Sequence, residues 1–159
     1  VPVNCIFTLN NRNTSTLICS GYGIVEAFSG QKQGRDNPAE VASKGIGPIP
    51  RGTYYIVDRQ SGGMLGHVLD SVSPLVGSSD RRKWFMLWNP RTGDMTNING
   101  VRRGQFRLHP AGSREYSEGC ITLVNSAEFE LLQRFIRGSA PSLAVPGSTL
   151  KAYGTVTVR

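Results

Sequence analysis

The chain is poor in the side chains that most often carry chemistry, with two histidines and three cysteines in 159 residues. Those few are not clustered at metal spacing, and neither the Cys5/Cys19 pair nor His67 fits a zinc pattern. No glycine fingerprint for a nucleotide phosphate or a dinucleotide is present. No metal and no cofactor are therefore expected. The apolar runs fall far short of a bilayer span, so no membrane insertion is expected. No secretory leader is visible, and the chain opens at Val1 without methionine, which reads as a trimmed form. Lysine is scarce, at 4 against 14 arginines, and the net charge is +7. The basic residues form no run and no recognisable binding motif, so nucleic acid is not expected as a partner.

Glycine (19) and proline (9) are the abundant signals. They imply many turns and favour a mainly β, β-rich α+β fold. With no internal repeat or linker, residues 1–159 read as one domain. The short clusters Arg81-Arg82-Lys83 and Arg102-Arg103 read mostly as solvated surface. Their functional reading is affinity for an anionic polymer such as a cell wall, or for an acidic partner.

Along the chain, residues 3–9 and 15–20 read as a hairpin around an Asn-rich turn. A register pairing Asn10 with Thr14 sets Cys5 opposite Cys19, either as a disulfide or as two buried thiols. Residues 21–30 read as a third strand. Residues 31–47 lose all pattern and read as a long loop, functional or simply a surface connection. Residues 47–53 form a rigid turn into a strand at 54–58. Residues 64–72 suggest one short element, with His67 an ordinary loop histidine. Residues 84–88 are a β run, 91–104 a turn-rich connection, and 105–108 a strand that delivers His109. Residues 121–124 form a strand. A helix follows, with Asn125 as N-cap and Glu128 completing a capping-box-like pair. Its Phe129, Leu132, Phe135 and Ile136 should face the core, and Gly138 ends it. Residues 141–147 read as loop, and 150–158 alternate as a terminal strand.

The stretch from Phe106 to Leu123 holds the chemistry. A thiol must become a thiolate to attack, and a nearby imidazole lowers its pKa while taking the proton. His109 and Cys120 lie too far apart in sequence for one helix face. They meet if the strand bearing His109 runs into a loop that returns Cys120 beside it, and Pro110, Gly112 and Ser113 permit such a return. The amides of Gly119 and Cys120, with the Ser117 hydroxyl, are candidate oxyanion donors. A backbone carbonyl such as that of Pro110 is a candidate to orient the imidazole. Arg107, Arg114 and Tyr116 are candidates for contacting substrate. The plainer alternative is a structural cysteine beside an incidental histidine. Glu115 and Glu118 raise a glycosidase reading, but three apart in a loop they have no fixed geometry and read as solvated.

His109 followed by Ser117-Glu118-Gly119-Cys120-Ile121 resembles the signature of the YkuD-type L,D-transpeptidases. The closer resemblance is to the type VI secretion L,D-transpeptidase effectors. It is carried in order by residues 27–30 (Ala-Phe-Ser-Gly), 47–54 (Gly-Pro-Ile-Pro-Arg-Gly-Thr-Tyr), 84–87, 106–109 and 119–123. Glu118 stands where the general box has a second histidine, and Thr122 where it has an arginine. His109 is thus left as the base. The resemblance implies a sandwich or barrel of the L,D-transpeptidase type, with a helix after the catalytic cysteine. It implies cysteine-dependent L,D-carboxypeptidase and transpeptidase action on peptidoglycan tetrapeptide stems in the periplasm of a target bacterium. It also implies an immunity protein and the type VI secretion machinery as partners. The alternatives are a housekeeping periplasmic L,D-transpeptidase, or a non-catalytic peptidoglycan-binding module on the same fold.

Overall fold

Alternating apolar and polar residues build the first strands. A computed structural model describes residues 2–58, 81–112 and 118–159, with backbone alone at residue 81. Strand β1 (Val3–Phe7) buries Val3, Cys5 and Phe7, and β2 (Ser15–Cys19) buries Ser15, Leu17 and Cys19. This two-residue period is that of a strand with one face on a core. Their antiparallel register sets Cys5 opposite Cys19, and a disulfide joins them. That resolves the two alternatives in favour of the bridge and leaves Cys120 outside it.

The remaining strands are β3 (Gly23–Phe28), β4 (Gly52–Asp58), β5 (Phe85–Trp88), β6 (Met95–Ile98), β7 (Val101–Gly104), β8 (Arg107–Pro110), β9 (Ile121–Leu123), β10 (Leu143–Ala144), β11 (Lys151–Ala152) and β12 (Gly154–Val158). Of the twelve strands among the described residues, eight close a barrel in the order β1-β12-β4-β5-β8-β9-β3-β2. The β1–β12 and β8–β9 pairs are parallel and the others antiparallel. Closure removes the exposed edges that an open sheet of this size would carry. Phe7, Leu17, Ile56, Phe85, Leu108 and Ile121 fill the core and are fully buried. Each such side chain stabilises the fold by about 1.5–3 kcal/mol relative to exposure.

The expected helix forms as α1 (Ser126–Ile136). Asn125 caps it, its side chain accepting from the amides of Ala127 and Glu128. Phe129, Leu132 and Ile136 join the core, and the helix rests against β8 and β9. Phe135 does not follow them. It is 41% exposed and packs its ring on Tyr22 at 5.2 Å. It lies at the margin of the apolar stripe, beside the half-buried Tyr22.

Three other expectations change. Residues 91–104 are not merely a turn-rich connection, because they contain the β6–β7 hairpin. Its two-residue turn is Asn99-Gly100, both at positive φ (49° and 80°), as a type I′ turn requires. The terminal strand is broken at Tyr153 into β11 and β12, and β10 within 141–147 pairs with β11. The long loop at 31–47 carries two 3-10 turns, Lys32–Gly34 and Pro38–Glu40, and is packed in rather than loose. Gly34, Asp36 and Gly47 are buried along it. The element expected at residues 64–72, with His67, lies outside the described residues.

Candidate functional site

The parallel β8–β9 pair sets the histidine's strand beside the strand that Cys120 leads into. Its register aligns Leu108 with Ile121 and His109 with Thr122. Side chains alternate along a strand, so Leu108 and Ile121 enter the core while His109 and Thr122 share the other face. Cys120 immediately precedes β9, two residues before Thr122.

His109 is almost buried, at 9% exposure. Its Nδ1 lies 2.7 Å from the Pro110 carbonyl oxygen. A carbonyl only accepts, so Nδ1 carries the proton and Nε2 is the basic nitrogen. The indole of Trp84 stacks on the imidazole, with ring centroids 4.3 Å apart and planes tilted by 20°. The ring is therefore held in plane and in tautomer by two different contacts.

Cys120 is half-buried and directs its thiol toward the Gln105 carbonyl at 3.8 Å. Burial pushes its pKa up to about 11. A hydrogen bond from the Arg107 backbone and the Arg107 charge oppose that shift, while the Glu118 and Asp94 carboxylates add to it. The resting sulfur is thus a neutral thiol, and attack requires a base that takes its proton during the reaction.

The other expected site residues are distributed unevenly. Arg107 is on β8 beside Cys120, but its guanidinium grips Asp94 through two oxygens at 2.7 and 3.2 Å. Gly119 is buried at φ +117°, a conformation that glycine tolerates. Ser117, Arg114 and Tyr116 lie outside the described residues, as does Glu115. Glu118 is exposed, as a solvated carboxylate should be. Beside Gln105 and Glu118 opens a cavity of about 390 Å³, lined also by Lys44, Met95 and Arg102. Among the described residues no group of His, Cys, Asp or Glu is arranged to hold a metal ion, and no helix is long and apolar enough to cross a membrane.

Sequence reasoning passed over Trp84, Arg103 and Ser29. Trp84 reads in sequence as part of the β run, yet it stands just before β5. Arg103 reads in sequence as surface charge, yet it is 3% exposed. Nothing local marks either role.

A barrel that carries a tautomer-fixed histidine on one parallel strand, with a cysteine just before the strand beside it, defines a class of β-rich proteins with a candidate thiol centre. The family model of the Tlde1 domain matches residues 23–148, and the chain belongs to that family. This is the type VI secretion effector family that the sequence blocks resemble. No curated protein and no solved structure matches the chain.

Proposed function

We propose that this protein is a peptidoglycan-targeting cysteine L,D-carboxypeptidase and L,D-transpeptidase of the YkuD type, acting through a thioacyl-enzyme. The observation that supports the reading is the β8–β9 register, which pairs His109 with Thr122, two residues after Cys120, together with the Pro110 carbonyl that leaves Nε2 as the basic nitrogen. Cys120 Sγ attacks the carbonyl carbon of the third stem residue as Nε2 takes the thiol proton. The Gly119 and Cys120 amides, with Ser117, receive the oxyanion. The bond to the terminal D-alanine breaks, and His109 returns the proton to the leaving amine. The thioester then yields to water, giving a tripeptide, or to the amine of a D-amino acid, giving exchange.

The raised thiol pKa supports a concerted base rather than a standing ion pair. The basic surface and the cavity beside Gln105 suit an anionic peptide. As an effector, the protein would act in the periplasm of a target bacterium, with secretion machinery and an immunity protein as partners. Loss of tetrapeptide donors would then weaken cross-linking.

The test is incubation of purified tetrapeptide muropeptides with wild type and with Cys120→Ala. Tripeptide product from wild type alone is expected. Equal product from both, or none from wild type, refutes the reading. Toxicity retained by Cys120→Ala in a bacterial periplasm would instead favour the binding-module alternative.

A further inference from the structure

Arg103 sits on β7, outside the barrel, yet its guanidinium is buried among backbone carbonyls from three places. Nη1 donates to Val41 O and Pro48 O, the latter at 3.1 Å. Nη2 donates to Gly47 O at 2.9 Å and Glu118 O at 3.2 Å. The group also lies over the Phe106 ring, 5.5 Å from its centroid. A charge is costly to bury unless its donors are all used. A planar fork with five N–H groups serves four carbonyls at once, which the ammonium of lysine, with three donors at one point, does not. The hairpin, the 41–48 loop and the cysteine turn are thereby tied together.

Ser29 makes a second tie. Its Oγ donates to Gly119 O at 3.0 Å and accepts from the Ile49 amide at 2.8 Å. The residue is fully buried. Arg103 therefore holds the carbonyl of residue 118, and Ser29 holds that of residue 119. Those oxygens belong to the two peptide units whose N–H groups are those of Gly119 and Cys120. A trans peptide is planar, and its N–H points opposite to its C=O. Fixing both carbonyls on Arg103 and Ser29 turns both N–H vectors away from them. The space around Gly119 is equally determined, because a Cβ there would meet Arg103 Nη2 at 2.6 Å and Phe106 Cε1 at 2.7 Å.

We propose that Arg103 and Ser29 are positioning residues that set the two peptide units of the cysteine turn, so that the Gly119 and Cys120 amides are aimed for an oxyanion. The inference deepens the proposed function and rests on it, but it concerns acyl transfer to Cys120 whatever the natural substrate. Two probes separate the turn from the sulfur. Acylation by p-nitrophenyl acetate joins Cys120 Sγ to the acetyl carbon through a tetrahedral oxyanion. The p-nitrophenolate leaves with its electron pair, and the thiol proton is lost. Alkylation by iodoacetamide displaces iodide at a saturated carbon and forms no oxyanion.

The experiment measures both rates on wild type, Arg103→Lys and Ser29→Ala at equal pH, with circular dichroism as a check of folding. Acylation should fall at least 10-fold in each variant while alkylation stays within about twofold, since losing aimed donors costs roughly 100-fold or more where they act. Parallel loss of both rates in the folded variants, or unchanged acylation, overturns the proposal. If Arg103→Lys does not fold, Ser29→Ala decides it alone. Wild type that acylates with p-nitrophenyl acetate but leaves tetrapeptide muropeptides intact refutes the proposed substrate and not the aim of the turn.

Discussion

Replacing Asp36 with asparagine should change how stability depends on pH, and the size of the change follows from where the carboxyl lies. Asp36 is fully buried at the end of the Gln31–Asp36 bend. Its Oδ1 accepts from the Ser29 amide at 2.8 Å, while Oδ2 has no hydrogen-bond partner among the described residues. Burial pushes its pKa up from 3.8 to about 7, against the opposing pull of the Ser29 amide and of Arg35. The native state thus keeps a proton that the unfolded chain has already released. Stability falls as pH rises from near 4 to near 7, and levels once both states are ionised. From pH 5 to pH 8 the affected window is two units wide, so at about 1.4 kcal/mol per unit the loss is about 3 kcal/mol. Asparagine is neutral throughout. Urea unfolding of both proteins at pH 5 and pH 8 gives the stability of wild type minus that of Asp36→Asn. That difference should drop by about 3 kcal/mol on going to pH 8. A difference that stays constant within about 0.5 kcal/mol, or rises with pH, would refute the reasoning and mean that Arg35 holds the carboxylate ionised.

Other consequences are as direct. Replacing both Cys5 and Cys19 with serine opens a bridge between residues 14 apart in sequence, and should cost about 3 kcal/mol of unfolding free energy in urea. Asn125→Ala removes the acceptor for two amides at the start of α1, and should cost about 1 kcal/mol by the same measurement. Trp84→Ala frees the His109 ring, and kcat for acyl transfer should fall about 10- to 100-fold, with partial recovery in Trp84→Phe. An unchanged kcat would show that the Pro110 carbonyl alone orients the imidazole.

Legibility differed from one part of the molecule to another, for physical reasons. The disulfide register and the α1 cap were visible because they depend on neighbours within about 15 positions. The order His109 then Cys120 was visible because both residues are rare here. The β6–β7 hairpin carried its signal openly in Asn99-Gly100, but Met95–Ile98 and Val101–Gly104 are too polar to read as strands by alternation alone. Closure of the barrel rests on β1 pairing with β12, where Val3 meets Gly154 across the whole chain. No local pattern encodes that meeting. Arg103 was illegible for a related reason, since its burial depends on carbonyls of residues 41, 47 and 48, contributed by a loop without periodicity. Phe135 departs from its expected place in the core because spacing defines a stripe but not which of its margins Tyr22 will cover.

The most direct test of the central claim is the intact mass of wild-type protein quenched in acid while it turns over tetrapeptide muropeptide. A covalent adduct with the mass of the stem acyl group without its terminal D-alanine, mapped by peptide digestion to Cys120 and absent in Cys120→Ala, is the predicted result. Release of D-alanine with no adduct on Cys120, or an adduct that maps elsewhere, would contradict it.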